Sequence, residues 1–241
     1  MPQPVLESTG FCPTCDQQVR FIAAQDWLRD HFLCSRCGSI PRERALMHVI
    51  ETYYPNYRDL VIHESSPGAR GASVKLQSNC PHYVATQFDP ALARGVHDEK
   101  RGFRNEDLEQ QTFADASFDL VVTQDVFEHL FDPSRAFAEV ARTLKPGGAH
   151  IFTTPLVNKQ RPSERCSERL PDDTIRHLKP PEYHGNPIDD SGSLVTFNWG
   201  YDIAHRIYQD SRLVTSIVHL DNLELGIRAE YIEVLVSMKR A

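Results

Sequence analysis

The sequence predicts an α/β fold in which a mostly parallel sheet carries helices on both faces, with a small four-cysteine module in front of it. Two observations lead to this fold class. Apolar strand-like runs alternate with helix-like segments from residue 41 onward, and two C-x2-C pairs lie close together near the amino terminus. We therefore divide the chain into a module over residues 1–40 and a larger domain over residues 41–241.

The alternation can be followed element by element. Strands are expected at 60–63, 82–86, 118–122 and 149–154, and helices at 41–55, 69–77 and 133–144. Asp132 and Pro133 form a helix start, and the run Lys145–Gly148 is a helix stop. A helix over 201–213 and two closing strands follow. Strand–helix–strand units of this kind connect as right-handed crossovers in a parallel sheet.

Residues 155–198 interrupt this pattern. The segment contains six prolines and shows no sustained helical or strand period. Loops this long in compact domains are usually functional or disordered. We expect an irregular insertion there.

The two cysteine pairs, "CPTC" and "CSRC", predict a metal site. Each C-x2-C turn directs two sulfurs to one point, and together they can complete a tetrahedral thiolate site. Nothing in the sequence suggests the oxidising compartment that disulfides need, and a redox pair would leave the second pair unexplained. Zinc is the favoured metal and rubredoxin-type iron the alternative, and four sulfur ligands make the role structural. The ligands are Cys12, Cys15, Cys34 and Cys37.

Charge and composition narrow the classes of partner. The net charge is −7 with 24% charged residues, and the amino-terminal residues form no basic cluster. An acidic chain repels phosphate backbones, so nucleic acid is a less favoured partner. No apolar run approaches the roughly 18 residues of a membrane span, and no export signal is apparent at the start. We expect a cytoplasmic protein without membrane contact.

The run "FDLVVTQDVFEHLFDPSRAFAEVARTLKPGGAHIFTTP" resembles class I S-adenosylmethionine-dependent methyltransferases of the type 11 branch. Their strand ends in a polar residue, followed by an "EH" helix start and an "LKPGG" turn. The resemblance spans roughly residues 45–240 and is strongest from 103 to 155. It implies a Rossmann-like sheet with S-adenosylmethionine across the carboxyl ends of its strands.

The resemblance also implies where the cofactor binds. The family's first loop reads acid-x-Gly-x-Gly, and here it reads Glu64-Ser65-Ser66-Pro67-Gly68, with serine in place of the first glycine. The usual ribose acid at the end of the second strand is missing, and Thr86 and Gln87 occupy that place. "NEDLEQQTF" resembles the adenine motif, which puts Asp107 near the exocyclic amine and the Leu108 main chain at the ring. Gln124 ends the next strand.

For catalysis, the sequence suggests His129 as a general base oriented by Asp125. The two residues are four apart at the expected helix start, which would put both on one helical face. An imidazole titrates near neutrality, and a carboxylate beside it would raise its basicity. The alternative is that Asp125 caps the helix and His129 only packs against it.

The resulting function is methyl transfer to a small-molecule or glycan-type acceptor. We expect the acceptor pocket to be lined by Tyr183, His184, Trp199 and Tyr201. An RNA acceptor is the first alternative, because some ribosomal RNA methyltransferases carry a four-cysteine module. The second is a non-catalytic interaction protein on the same fold, which Ser66 and the missing ribose acid would fit.

Overall fold

The amino-terminal module is a three-stranded antiparallel sheet. The structure, a computed structural model, describes residues 3–185 and 192–241. The sheet has the order β1-β2-β3, and a one-turn helix, α1, connects β2 to β3. The first strand ends at Cys12 and the third ends at Cys34, so each cysteine pair lies in the turn that follows its strand. The elements are β1 Leu6–Cys12, β2 Gln17–Ala23, α1 Leu28–His31 and β3 Phe32–Cys34.

Helix α2 begins at Pro41, as the sequence predicts. The elements from there to the insertion are α2 Pro41–Tyr53, a 3-10 turn Tyr57–Asp59, β4 Ile62–Ser65, α3 Gly71–Asn79, β5 Tyr83–Gln87, β6 His97–Asp98, β7 Phe103–Asn105, β8 Phe118–Gln124, α4 Pro133–Thr143 and β9 Leu144–Thr153. After the insertion come α5 Ile203–Ser211, a strand Val214–Val218, a 3-10 turn Leu223–Leu225 and a last strand Val234–Met238. Within the described ranges, no helix has the length and apolar character needed to cross a membrane.

The insertion is irregular apart from three short antiparallel ladders. These pair β10 with β15, β11 with β12 and β13 with β14. The strands are β10 Glu164–Arg165, β11 Ser167–Arg169, β12 Ile175–His177, β13 Tyr183–His184, β14 Ser193–Leu194 and β15 Phe197–Asn198. The part of the insertion at 186–191 lies outside the described residues. The two closing strands are accordingly β16 Val214–Val218 and β17 Val234–Met238.

The central sheet has eight strands in the order β16-β17-β9-β8-β4-β5-β7-β6. The pairs β4–β5, β4–β8, β5–β7 and β8–β9 are parallel, whereas β17 runs antiparallel to both of its neighbours. The predicted mostly parallel sheet is therefore confirmed. The run Lys145–Gly148, expected only to stop helix α4, lies within β9 at an irregularity in its pairing with β8.

Two hydrophobic clusters cover the two faces of the sheet, so helices lie on both sides as predicted. On one face α2 and α3 pack Leu46, Ile50 and Leu76 against sheet residues that include Val122 and Ile151. On the other, α4 and α5 pack an apolar set against the alternating sheet residues. The helices contribute Phe137, Val140, Ile203 and Ile207, and the sheet contributes Val121, Phe152 and Leu235. The alternation follows from the period of two in a strand.

The module is packed firmly onto the larger domain. Arg44 of α2 is fully buried, and its guanidinium donates hydrogen bonds to the main-chain oxygens of Phe32 (2.7 Å) and Gly226 (2.6 Å). The same guanidinium lies 4.7 Å from the centre of the Phe21 ring. Because Arg44 bonds main-chain oxygens on both sides, it joins the module to the last part of the domain.

We predict that Gly10→Ala destabilises this packing. A Cβ at Gly10 in β1 would lie far closer to the Glu224 carbonyl oxygen than van der Waals contact allows. That oxygen belongs to the main chain and cannot rotate away. We expect the free energy of unfolding to fall by about 2 kcal/mol. Denaturant unfolding measures it, with Gly185→Ala as control because no described atom lies within 4 Å of its Cβ position. Equal stability of both variants would contradict the packing.

Candidate active site

A cavity of about 1000 Å³ opens at the carboxyl ends of the parallel strands. The ends of β4, β5 and β8, the module and the insertion all contribute to its wall. This is the position at which open α/β sheets bind ligands. The residues that line the cavity include Trp27, Arg29, Arg42, Ser66, Gly68, Gln87, Asp107, Gln124, Asp125, His129, His184 and Tyr231.

The first loop keeps the backbone of a glycine loop without the first glycine. Ser66 has φ of +57°, in the left-handed region that glycine adopts most readily. The amide of Gly68 donates a hydrogen bond to Ser73 Oγ (2.9 Å), which ties the loop to the start of α3. Ser66 and Gly68 both line the cavity. The substitution therefore changes the side chain at this position and leaves the course of the loop intact.

Glu64 holds this loop from beneath. Its carboxylate is fully buried and accepts hydrogen bonds from Ser73 Oγ (2.6 Å), Tyr83 Oη (2.8 Å) and Gln124 Nε2 (2.9 Å). Burial raises the pKa of Glu64, and the three hydrogen bonds act in the opposite direction. Glu64 is not among the described residues that line the cavity. It is predicted from sequence as a ligand-facing acid, but its three bonds give it a positioning role.

At the end of β5, the two predicted ribose-side residues differ. The Thr86 hydroxyl is fully buried and hydrogen-bonds with His63 Nε2 (2.8 Å), so its side chain faces the core and not the cavity. This corrects the expectation for Thr86. Gln87 lines the cavity. The next acid, Asp89, is held by Arg101 at 2.7 Å and is not among the residues that line the cavity, so Gln87 is the polar side chain that the end of β5 contributes to it.

The predicted adenine-side residues lie at the same end of the sheet. Asp107 lines the cavity, and its Oδ1 accepts a hydrogen bond from the amide of Glu109 (2.9 Å). Leu108 is buried in the core cluster beneath α4, so its side chain anchors the turn. The arrangement leaves the other oxygen of Asp107 for a ligand.

Asp125 is bound by two arginines from distant parts of the chain. Its carboxylate lies 2.6 Å from Arg29 of the module and 2.9 Å from Arg42 of α2, and it accepts a hydrogen bond from Thr153 Oγ1 (3.0 Å). Burial alone would raise the pKa of Asp125, but Arg42 and Arg29 lower it to about 2. Asp125 also has a left-handed φ of +52°, directly after Gln124 at the end of β8.

The expected pairing of Asp125 with His129 is wrong. Helix α4 begins at Pro133, so residues 125–132 are not helical and do not present a common helical face. Asp132, not Asp125, caps the helix by accepting from the amide of Arg135. The Nδ1 atom of His129 donates to the Leu194 carbonyl oxygen (2.9 Å). His129 lines the cavity, and its role as a base stays a prediction.

Glu128 is a buried acid beside His129 that sequence reasoning missed. One oxygen, Oε2, accepts from Thr154 Oγ1 (2.9 Å), whereas Oε1 has no hydrogen-bond partner in the described part of the chain. Burial, followed by the charge of Asp125, raises the pKa of Glu128 to about 8. The sequence signal was its position next to His129 in "FEHL", which gave no indication of burial.

Of the four residues predicted to line an acceptor pocket, His184 does so. Trp199 is buried and stacks on Phe197 with ring centres 4.7 Å apart, so it belongs to the core. Tyr183 is exposed, and Tyr201 packs edge-on against His219. Arg29, Arg42, Trp27 and Tyr231 line the cavity instead. No local pattern marked them, because Trp27 and Arg29 come from the module whereas Arg42 and Tyr231 come from distant parts of the larger domain, and only tertiary packing brings the four together.

The four predicted metal ligands come together in the module. The sulfurs of Cys12 and Cys37 are 3.8 Å apart, and those of Cys15 and Cys34 are 3.9 Å apart. All four lie within 4.8 Å of one another. Tetrahedral zinc with bonds of about 2.3 Å separates its sulfurs by roughly 3.8 Å. The donor set and its spacing therefore fit a four-thiolate zinc ion.

Comparison with solved structures identifies the fold. A methyltransferase from Mesorhizobium loti described as S-adenosylmethionine-dependent has a TM-score of 0.50 at 16% identity, over 81% of this chain and 98% of that one. An amino pentose methyltransferase from Micromonospora echinaspora, with S-adenosylmethionine bound, has a TM-score of 0.52 at 12% identity, over 82% and 91%. At such identities the likeness shows the fold: a Rossmann-like class I methyltransferase fold.

The sequence comparison is more specific. Residues 65–152 match the methyltransferase domain family Methyltransf_11. Dimethylglycine N-methyltransferase of Parasynechococcus marenigrum is 52% identical over 49 residues, which are 20% of this chain and 18% of that protein. A probable S-adenosylmethionine-dependent methyltransferase of Mycolicibacterium smegmatis is 40% identical over 52 residues, 22% of this chain and 20% of that protein. Residues 65–152 are thus similar to a methyltransferase domain, and the chain spans a fifth or less of the length of these two relatives.

Proposed function

We propose that this protein transfers a methyl group from S-adenosylmethionine to a small-molecule acceptor. The observation that carries the proposal is the cavity at the strand ends. There the glycine-like loop at Ser66, the polar Gln87 and the acid Asp107 all line the cavity and all lie within the matched residues 65–152. Together they provide a site for a methionine end, a ribose and an adenine in one line.

The charges of the cavity suit this ligand. Its lining includes six acids, Asp30, Glu43, Asp107, Glu109, Asp125 and Glu182, against three arginines, Arg29, Arg42 and Arg169. S-adenosylmethionine carries positive charge on its sulfur and amine and negative charge on one carboxylate. We infer that the carboxylate lies toward Arg29 and Arg42, beside the Ser66 loop, because guanidinium groups bind carboxylates in a fixed geometry. Asp107 would accept from the exocyclic amine of the adenine.

The same excess of acids argues for a small acceptor over RNA. A phosphate backbone would meet more carboxylates than guanidiniums at the cavity, and the chain as a whole has a net charge of −7. Two of the similar proteins are described as methyltransferases of dimethylglycine and of an amino pentose. We propose an acceptor of this size with an amine or hydroxyl group, including glycan-type acceptors.

The four cysteines complete the proposal as a structural zinc site. All four positions around the ion would be thiolates, so zinc would hold the module's turns together without binding substrate. The module matters for the reaction because Arg29, between its second and third strands, reaches the cavity. We propose that zinc keeps Arg29 in place.

The residues of the chain position the reactants. Bound S-adenosylmethionine supplies a methyl carbon to a lone pair of the acceptor, and the electrons of the broken carbon–sulfur bond remain on sulfur. The acceptor must also release a proton, and His129 is the neutral base on the cavity wall, since burial lowers the pKa of its ring. Alignment of the reactants provides a large share of the rate in such displacements.

Calorimetry with S-adenosylhomocysteine tests the proposal. We expect binding of one ligand per chain, and Asp107→Ala should weaken it about tenfold or more, the value of one charge-assisted hydrogen bond. Asp89→Ala is the matched control, because that carboxylate binds Arg101 and should leave affinity within about twofold. Equal affinity of both variants and the unchanged protein would contradict the cofactor's placement, and absence of binding would contradict the function.

A further inference from the structure

We propose that Glu128, His129 and His184 form a binding site for a divalent cation on the acceptor side of the cavity. One ligand atom from each residue lies within 4.8 Å of the other two. Glu128 Oε1 is 3.7 Å from His129 Nε2 and 4.0 Å from His184 Nδ1. These separations are too long for hydrogen bonds. Two atoms bound to one cation at about 2.1 Å are at most roughly 4.2 Å apart, so both separations allow a shared ion.

Glu128 provides the strongest reason to place a ligand there. Its side chain is 2% exposed, and Oε1 is the oxygen without a hydrogen-bond partner among the described residues. The other oxygen is held by Thr154, and the main chain of Glu128 accepts from the amide of Thr196 (2.7 Å). A buried carboxylate oxygen that is fixed in place and unpartnered is costly unless a cation or donor binds it.

The neighbours of the two histidines leave one ring nitrogen of each facing Glu128. His129 donates Nδ1–H to the Leu194 carbonyl, so the lone pair of Nε2 faces Glu128. His184 has Nε2 at 3.4 Å from Glu182 Oε1, which leaves Nδ1 for the same point. Metal-binding histidines characteristically donate their second N–H to a carbonyl or carboxylate in this way. The half-exposed His184 ring can turn to close the remaining distance.

The ligand set indicates the kind of ion. Two imidazoles and one carboxylate bind first-row divalent cations such as manganese, iron, cobalt or zinc, and they leave coordination positions open. Both histidines line the cavity, so the open positions face the acceptor side. Asp125 is not a ligand, because Arg29 and Arg42 already bind its carboxylate. The site is also separate from the four cysteines.

The role of the ion rests on the proposed methyl transfer. A cation at this point would bind an oxygen of the acceptor and lower the pKa of a hydroxyl there, so that its proton passes to solvent at neutral pH. His129 would then act as a ligand and not as the base. The acceptor class is accordingly one with a hydroxyl or carboxylate oxygen near the group that is methylated.

Titration with Mn²⁺, followed by the electron paramagnetic resonance signal of the free ion, tests the site. Manganese is the weakest competitor in the divalent series and will not displace zinc from thiolates, so the full chain is used as purified. We expect one Mn²⁺ per chain. His184→Ala and Glu128→Gln should each weaken binding about tenfold or more. His205→Ala, an exposed histidine on α5, is the matched control and should bind like the unchanged protein.

Two results would overturn the site: no Mn²⁺ binding by the unchanged protein, or the same affinity in His184→Ala and His205→Ala. Circular dichroism shows whether each variant is folded. If Glu128→Gln does not fold, His184→Ala alone tests the site. S-adenosylhomocysteine binding is measured on the same samples. If the unchanged protein binds S-adenosylhomocysteine but no Mn²⁺, the cation site alone is overturned; if it binds Mn²⁺ but no S-adenosylhomocysteine, the proposed function alone is overturned.

Discussion

Replacing Cys34 with serine is expected to release about one zinc ion per chain and to unfold the module over residues 1–40. Structural zinc contributes on the order of 10–16 kcal/mol of binding free energy to small domains, more than three short strands can replace. The loss should extend to the active site. Arg29 lies in the module and is 2.6 Å from Asp125 on the cavity wall, so S-adenosylhomocysteine affinity should fall with the zinc content.

Metal analysis and limited proteolysis measure the first effect, and calorimetry measures the second. The matched control is Cys166→Ser, a buried cysteine of the insertion outside the four-sulfur cluster, which should keep its zinc. Protein prepared without chelator that contains no zinc would contradict the structural site. Loss of zinc with unchanged affinity for S-adenosylhomocysteine would contradict the link between the module and the cavity. Iron in place of zinc would support the rubredoxin-type alternative.

Glu64→Ala is expected to destabilise the larger domain strongly. It leaves the donors of Ser73, Tyr83 and Gln124 without their buried acceptor. An unsatisfied buried donor costs about 1–3 kcal/mol, so we expect the free energy of unfolding to fall by about 3 kcal/mol or more. Cofactor affinity should fall as well, because Ser73 also holds the amide of Gly68.

Tyr83→Phe is the graded comparison for this prediction. It removes one of the three donors with little change in shape and should cost about 1 kcal/mol. The double variant with Glu64→Ala should lose less unfolding free energy than the sum of the two single losses, because Tyr83 and Glu64 are hydrogen-bonded to each other. Strict additivity, or a Glu64→Ala variant as stable as the unchanged protein, would contradict a supporting role. Direct ligand contact would instead lower affinity at unchanged stability.

The regular part of the fold could be predicted because its pattern is local. An apolar run predicted β8 to within two residues, and the N-cap Asp132 followed by Pro133 predicted the start of α4. The strands β6 and β7 have two and three residues, too few for a period to show, and they fell in a stretch with no assignment. The Lys145–Gly148 run was predicted as a helix stop, and its place within β9, at the irregularity between the pairs Phe118–Leu144 and Leu120–Ala149, depends on the neighbouring strand.

The site was predictable where a family motif coincides with a strand end. The resemblance to type 11 methyltransferases implied that Gln87, Asp107, Gln124 and the Ser66 loop face the cofactor, and all of them line the cavity. The environment of Asp125 could not be predicted, since Arg29 and Arg42 reach it from other elements. Likewise, the buried oxygen of Glu128 depends on packing of the insertion. Arg29 and Arg42 are more than 80 residues from Asp125 in the sequence, and contacts at such separations leave no periodic pattern in the sequence.

Hydrogen–deuterium exchange with and without S-adenosylhomocysteine tests most directly that this cavity is the cofactor site and that the module completes it. We predict slower exchange on ligand addition at the Ser66–Gly68 loop, at 87–88, at 107–109 and at 124–126, together with 27–31 of the module. These segments supply the cavity's lining at the strand ends and around Arg29. Protection confined to other segments, or no change anywhere at saturating ligand, would contradict the central claim.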